Sequence, residues 1–276
     1  MKLTRFLSTA SVVIVVLLVT TSLIGAQDEE ALEFPVLYSD DPVDDFFEDG
    51  VYARLWTFWG AEGDLVTIRM NRAEDSLVDP YLILFSPSGE ILAVDDDGGS
   101  VVRDALISEV ELPADDMYLV LTTCADYILI NSNVRAQNNT EPMEYALILE
   151  GTSEPDEDVQ VGVDATEMDF GDTATLEISQ ESPVAFATFF ADEGDLVTIT
   201  TSAAGGEVDT LLYLFSSDGA GIGFDDDGAA APYSQLTDVE IPYTGMQLVL
   251  ATSYQFHSVL QGDWENTGEF NLSIAP

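Results

Sequence analysis

The sequence predicts an all-β protein: two tandem antiparallel β-sandwiches behind an N-terminal signal peptide. Three observations carry this. One long segment pattern occurs twice in the same order. Each copy consists of short apolar runs, broken at regular spacing by Gly, Pro, Asn and Asp. No stretch after residue 26 shows a 3.6-residue apolar stripe long enough for a core helix.

The first element is a leader. Lys2 and Arg5 precede a mostly apolar run from Phe6 to Val19, and small and polar residues follow up to Gly25-Ala26. This is the pattern of a secretory signal peptide over residues 1–26, with cleavage after Ala26. The alternative is an uncleaved anchor, but Ser8, Thr9, Ser11, Thr20, Thr21 and Ser22 interrupt the apolar stretch. After cleavage no second apolar span remains, so no stable membrane insertion is expected, and the chain is placed outside the cell or in its envelope. Residues 27–33 form a short acidic segment.

The repeat comes next. Glu62-Gly63-Asp64-Leu65-Val66-Thr67-Ile68 recurs unchanged as Glu193-Gly194-Asp195-Leu196-Val197-Thr198-Ile199, an offset of 131 residues. Asp95-Asp96-Asp97-Gly98 recurs as Asp225-Asp226-Asp227-Gly228, and Val110-Glu111-Leu112-Pro113 as Val239-Glu240-Ile241-Pro242. Ordered matches over such a length mean two copies of one domain, each expected to own its core. The copies span residues 34–151 and 164–276, joined by an acidic linker at 152–163.

Within each copy the elements read as strands. Val66, Ile68 and Met70 alternate with Leu65, Thr67 and Arg69. Leu82 to Phe85 and Ile91 to Val94 flank a turn at Pro87-Ser88-Gly89. Tyr118 to Leu121 is apolar on both faces, as in a central strand. Tyr145, Leu147 and Leu149 end the first copy, and Phe270, Leu272 and Ile274 end the second.

Charge bounds the function. There are 52 acidic and 7 basic side chains, a formal net charge of −45. Nucleic acid is excluded as a partner by sign. One Cys and one His exclude a disulfide framework and multi-Cys or His-rich metal centres. From Thr152 to Pro276 there are 24 acidic residues and neither Lys nor Arg. Such self-repulsion calls for salt or bound cations.

Gly63-Asp64-Leu65-Val66-Thr67-Ile68, the run from Asp79-Pro80-Tyr81 through Ser86-Pro87-Ser88-Gly89 to Asp97-Gly98-Gly99, and Leu112-Pro113-Ala114-Asp115-Asp116-Met117-Tyr118 together resemble the bacterial pre-peptidase C-terminal domain. The second copy resembles it less closely. That family is related to the collagen-binding domains of collagenases. The resemblance implies a jelly-roll-like sandwich and a non-catalytic secreted module, usually appended to an extracellular hydrolase. No peptidase domain accompanies it here.

The aspartates are the candidate metal site. A three-residue hairpin loop at Pro87-Ser88-Gly89 pairs Leu84 with Leu92 and Leu82 with Val94, which sets Asp79 opposite Asp97. The same register in the second copy sets Asp209 opposite Asp227. Asp79, Asp95 and Asp97, and likewise Asp209, Asp225 and Asp227, are thereby expected to gather at one end of a hairpin. A Ca²⁺ ion would offset their repulsion, and calcium use is also what the resemblance implies. The competing expectation is a solvated acidic turn. An EF-hand is excluded, because the twelfth positions are Leu106 and Leu236.

Other candidates are weaker. His257 beside Ser258 lacks further triad features. Cys124 aligns with Ser253 and reads as a buried free thiol. The loops Ala125 to Glu144 and Tyr254 to Trp264 differ most between copies; their amide and aromatic side chains could serve recognition of sugar or protein, but ordinary loop packing is the favoured expectation. The sequence thus favours a non-catalytic binding or adhesion module for extracellular protein or polysaccharide. The alternatives are a structural, envelope-associated acidic protein and a carboxylate-based hydrolase.

Overall fold

The computed structural model describes residues 34–47, 52–125, 143–153, 162–205, 208–254 and 266–276. The leader at 1–26, the segment 27–33 and most of the linker lie outside the described residues.

The protein is all-β. The first half holds β1 (Val43–Phe46), β2 (Ala53–Gly60), β3 (Leu65–Arg72), β4 (Pro80–Phe85), β5 (Ile91–Asp95), β6 (Ala105–Glu111), β7 (Asp116–Cys124) and β8 (Glu144–Glu150). The second holds β9 (Ala165–Glu167), β10 (Thr173–Ile178), β11 (Val184–Ala191), β12 (Leu196–Ala203), β13 (Thr210–Phe215), β14 (Gly221–Asp225), β15 (Gln235–Glu240), β16 (Gly245–Ser253) and β17 (Gly268–Ala275).

Each half is an antiparallel β-sandwich with the same topology. One sheet runs β1-β8-β3-β6 and its counterpart β10-β17-β12-β15. The other runs β2-β7-β4-β5 and its counterpart β14-β13-β16-β11-β9. The parallel strand β9 beside β11 has its match in residues 35–37, which bond to Thr57 through Thr57 N to Pro35 O and Leu37 N to Thr57 O.

The repeated Glu-Gly-Asp segment is a turn, and its residues are explained by the turn. Gly63 and Gly194 have φ of +85° and +89°, where a side chain is strained. Asp64 and Asp195 accept hydrogen bonds from the amides of Ala61 and Asp192 at 2.9 and 3.0 Å. The strand that follows buries Val66, Ile68 and Met70 completely, as the alternation predicts.

The β4–β5 hairpin departs from the predicted register. The turn is as expected, with Gly89 at φ +84° and Gly219 at +83°. Phe85 pairs with Ile91, but a bulge then makes Leu84 pair with Ala93 and Leu82 with Asp95. The second half repeats the bulge: Phe215 pairs with Gly221, then Leu214 with Gly223 and Leu212 with Asp225. One extra residue shifts all later pairings by one. Asp79 is therefore not opposite Asp97, nor Asp209 opposite Asp227.

Each sandwich has an apolar interior of its own, and a third apolar layer joins the first half's cluster to the inner sheet of the second. β4 and β13 are buried on both faces. Leu82 and Leu84 point into their own sandwich, as do Leu212 and Leu214. Leu211, Tyr213, Phe215, Leu248 and Leu250 instead belong to the apolar cluster of the first half. The two inner sheets thus stack back to back, giving four layers with the outer sheets facing solvent. Turns lock the junction from both sides. Leu55 N donates to Gly219 O at 2.8 Å, and Asp164 N donates to Pro87 O at 2.9 Å.

Candidate functional site

The Asp-Asp-Asp-Gly segments leave β5 and β14 and begin the loops to β6 and β15. Asp95 Oδ1 accepts the amides of Gly98 at 2.8 Å and Leu106 at 2.7 Å. Asp225 Oδ2 accepts those of Gly228 at 2.6 Å and Gln235 at 2.7 Å. The first aspartate of each run therefore ties its loop to the next strand. A Cβ at Gly98 would stand 2.4 Å from the Asp95 carboxylate, which would have to shift and loosen these hydrogen bonds.

The other predicted ligands are distributed differently. Asp97 and Asp227 are exposed. Asp79 lies 3.8 Å from Arg103. Burial, with the nearby charges of Asp227 and Asp226, holds the Asp209 carboxyl above the ordinary aspartate range. Among the described residues, no group of three or more Asp, Glu, His or Cys converges at metal-binding spacing. Asp79, Asp95 and Asp97, and their counterparts Asp209, Asp225 and Asp227, are therefore not among such groups, although Asp226 and Asp227 stand close enough to Asp209 to act on its charge. The bulge shifts Asp95 by one pairing, and one carboxylate oxygen of Asp95 and of Asp225 is engaged by backbone amides.

Sequence comparison alone also overlooked a buried polar network in the first half. Tyr145 donates to Asp45 Oδ2 at 2.8 Å, and its hydroxyl lies 3.1 Å from Thr122 Oγ1. Trp56 Nε1 donates to Thr122 Oγ1 at 3.3 Å. Arg54 Nε stands 3.3 Å from Asp45 Oδ2, with the guanidinium over the Trp56 ring. Burial, reinforced by the Asp45 charge, pushes the Tyr145 hydroxyl far up, so it acts as a donor and not as a base. The register places Leu176, Ala185, Ala187, Ala251 and Phe270 at the equivalent positions of the second half. The signal was available: five positions polar or amphipathic in one copy and apolar in the other. The network borders a cleft of about 490 Å³ that Phe46, Arg72 and Glu144 also line. Arg54 further donates to the Asp218 carbonyl of the other half at 3.3 Å, so the network also ties the junction.

Cys124 is buried and forms no disulfide. His257 and most of both variable loops lie outside the described residues.

No family model matches the sequence, and no curated protein matches it. Solved structures do match. The pre-peptidase C-terminal domain of a collagenase from Bacillus anthracis is 14% identical, with a TM-score of 0.31, covering 45% of this chain and 99% of that one. A protein from Eubacterium rectale is 10% identical, with a TM-score of 0.26, covering 85% of this chain and 74% of that one. Tripeptidyl peptidase 2 is 10% identical, with a TM-score of 0.26, covering 87% of this chain and 24% of that one.

Proposed function

We propose that the protein is a secreted, non-catalytic binding or adhesion module that recognises extracellular protein or polysaccharide. The observation that carries this reading is the use made of the duplicated carboxylates. Asp64, Asp95, Asp195 and Asp225 each accept hydrogen bonds from the backbone of their own loops. A duplicated reaction centre would present such groups to a substrate; here they close turns. What the four-layer slab presents is surface: two outer sheets, strand edges and loop ends on a rigid support. A net charge of −45 keeps that surface soluble and favours partners carrying basic groups.

The test uses the full chain expressed with its leader, and a second form lacking residues 1–26. Export of the first and retention of the second in the cytoplasm are expected. The exported protein is then passed over collagen, peptidoglycan and polysaccharide matrices. Saturable retention on one of them is the expected result. Turnover of a peptide or glycan substrate by the purified chain would overturn the reading.

A further inference from the structure

The open edge of the first half's inner sheet carries an inference of its own. β5 is the end strand of the order β2-β7-β4-β5. Its residues Ile91-Leu92-Ala93-Val94 are apolar, contain no proline and are all partly exposed. The bulge sits at the start of the strand, so Ala93, Val94 and Asp95 pair regularly with β4. An antiparallel edge strand turns alternate N–H and C=O groups away from its neighbour. Such a row is a template for another strand unless proline, charge or a covering segment blocks it.

The equivalent edge in the second half is not equivalent in its surroundings. β14 contains Gly221 and Gly223, which weaken a strand. Ala220, just before it, forms an antiparallel bridge with Arg54 of the first half. β5 instead borders a cleft of about 620 Å³, whose far wall is Gln180, Glu181 and Pro183 of the second half. Both charged residues that line this slot, Glu90 and Glu181, are acidic. Glu90 stands at one end of the strand, Asp95, Asp96 and Asp97 at the other, and Glu181 across the cleft. The chain's own linker, with Glu154, Asp156, Glu157 and Asp158, has the wrong charge to fill it.

We propose that the β5 edge is a docking site for an extended peptide of another extracellular protein, added as a further strand of the inner sheet. The peptide has apolar or β-branched residues facing the slab and Lys or Arg at its flanks. Main-chain pairing with β5 supplies the affinity, and the acidic ends select the basic flanks. About five residues, some 17 Å of strand, suffice to span it. The proposal rests on the binding-module reading and narrows its ligand to a peptide at a stated place.

The probe is a capped, fluorescein-labelled peptide, Lys-Thr-Val-Thr-Val-Thr-Lys, titrated with the full chain and followed by anisotropy. Saturable binding is expected, with backbone amide shifts in an NMR spectrum centred on Ile91 to Asp95. N-methylating alternate peptide amides in one register should weaken binding about tenfold or more, while the other register leaves it nearly unchanged. The double substitution Glu90→Lys and Glu181→Lys, both at exposed positions, should weaken it about fivefold. Equal effects of the two N-methyl registers, or shifts confined to other strands, would overturn the proposal. So would no binding of the peptide. In that last case, continued retention on collagen or polysaccharide shows that only the β5 site has failed; loss of both removes the wider reading as well.

Discussion

Phe85 of the first half and Phe186 of the second meet edge to face, with ring centroids 6.3 Å apart and planes at 88°. Both are buried, and both lie on sheet faces that look away from their own sandwich. The aromatic pair sits where two repeats become one folded object. Separate modules on a flexible tether would have presented these rings to water.

Cooperative unfolding follows from that contact. Phe85→Ala and Phe186→Ala should each destabilise the chain by about 3–5 kcal/mol. A double-mutant cycle should return a coupling of about 0.5–1.5 kcal/mol. Urea denaturation read by tryptophan fluorescence and by far-UV circular dichroism should show one coincident transition for the wild type. Two resolved transitions would contradict a shared interior.

The turn glycines separate backbone strain from steric contact. Gly63 has a positive φ but no atom within 4 Å of a Cβ position. At Gly89 and Gly219 a Cβ would stand 2.2 Å from Val184 O and 2.3 Å from Leu55 O, across the junction. Gly63→Ala should cost about 1–2 kcal/mol, the strain of a left-handed backbone. Gly89→Ala and Gly219→Ala should each cost at least about 1 kcal/mol more, because the halves must part. Thermal melts of the three variants decide this, and equal costs would argue against close docking.

Loop closure by the aspartates predicts how the chain responds to metal. Asp95→Ala and Asp225→Ala should each destabilise by about 1–3 kcal/mol, since two backbone amides lose their acceptor. Calcium and magnesium at equal concentration should raise the melting temperature equally, through screening of the −45 charge. A rise specific to calcium and abolished by Asp79→Asn or Asp209→Asn would instead identify the ligand set expected from the sequence.

Acid should stabilise the protein before it unfolds it. Asp116 is raised by burial and by Asp164, against hydrogen bonds from Met117 and Gly162; Asp209 is raised by burial and by Asp227 and Asp226. A carboxyl raised in the folded state binds its proton more tightly there, so stability grows as pH falls from 7 through the raised values. Asp64 has the opposite sign. Burial pushes it up, but hydrogen bonds from Ala61 N and from the Ser153 hydroxyl and amide outweigh that and leave it low. Its contribution is lost only as pH falls below the ordinary aspartate range. Melting temperature should therefore rise from pH 7 to a maximum just above that range and fall below it. Asp209→Asn should raise stability at pH 7 by less than about 1 kcal/mol.

Much of the fold was legible because its determinants are local. Val66, Ile68 and Met70 announce a half-buried strand by alternation, and Pro87-Ser88-Gly89 announces its turn by the need for a left-handed glycine. The bulge at Leu92 was not legible. Apolar residues on both sides of it fit either register, so the pattern could not choose. That single residue shifted the pairing of Asp95 by one position.

The sequence by itself determined the duplication, the all-β architecture, the turn chemistry and the acidic surface, because each depends on residues close in the chain or on composition. Tertiary structure alone decided that the inner sheets bury both faces against each other. A run such as Tyr81 to Phe85 is apolar throughout and does not name the partner for its second face. It also decided that Asp45, Arg54, Thr122 and Tyr145 meet, since hydrogen bonds between residues up to 100 positions apart leave no periodic trace.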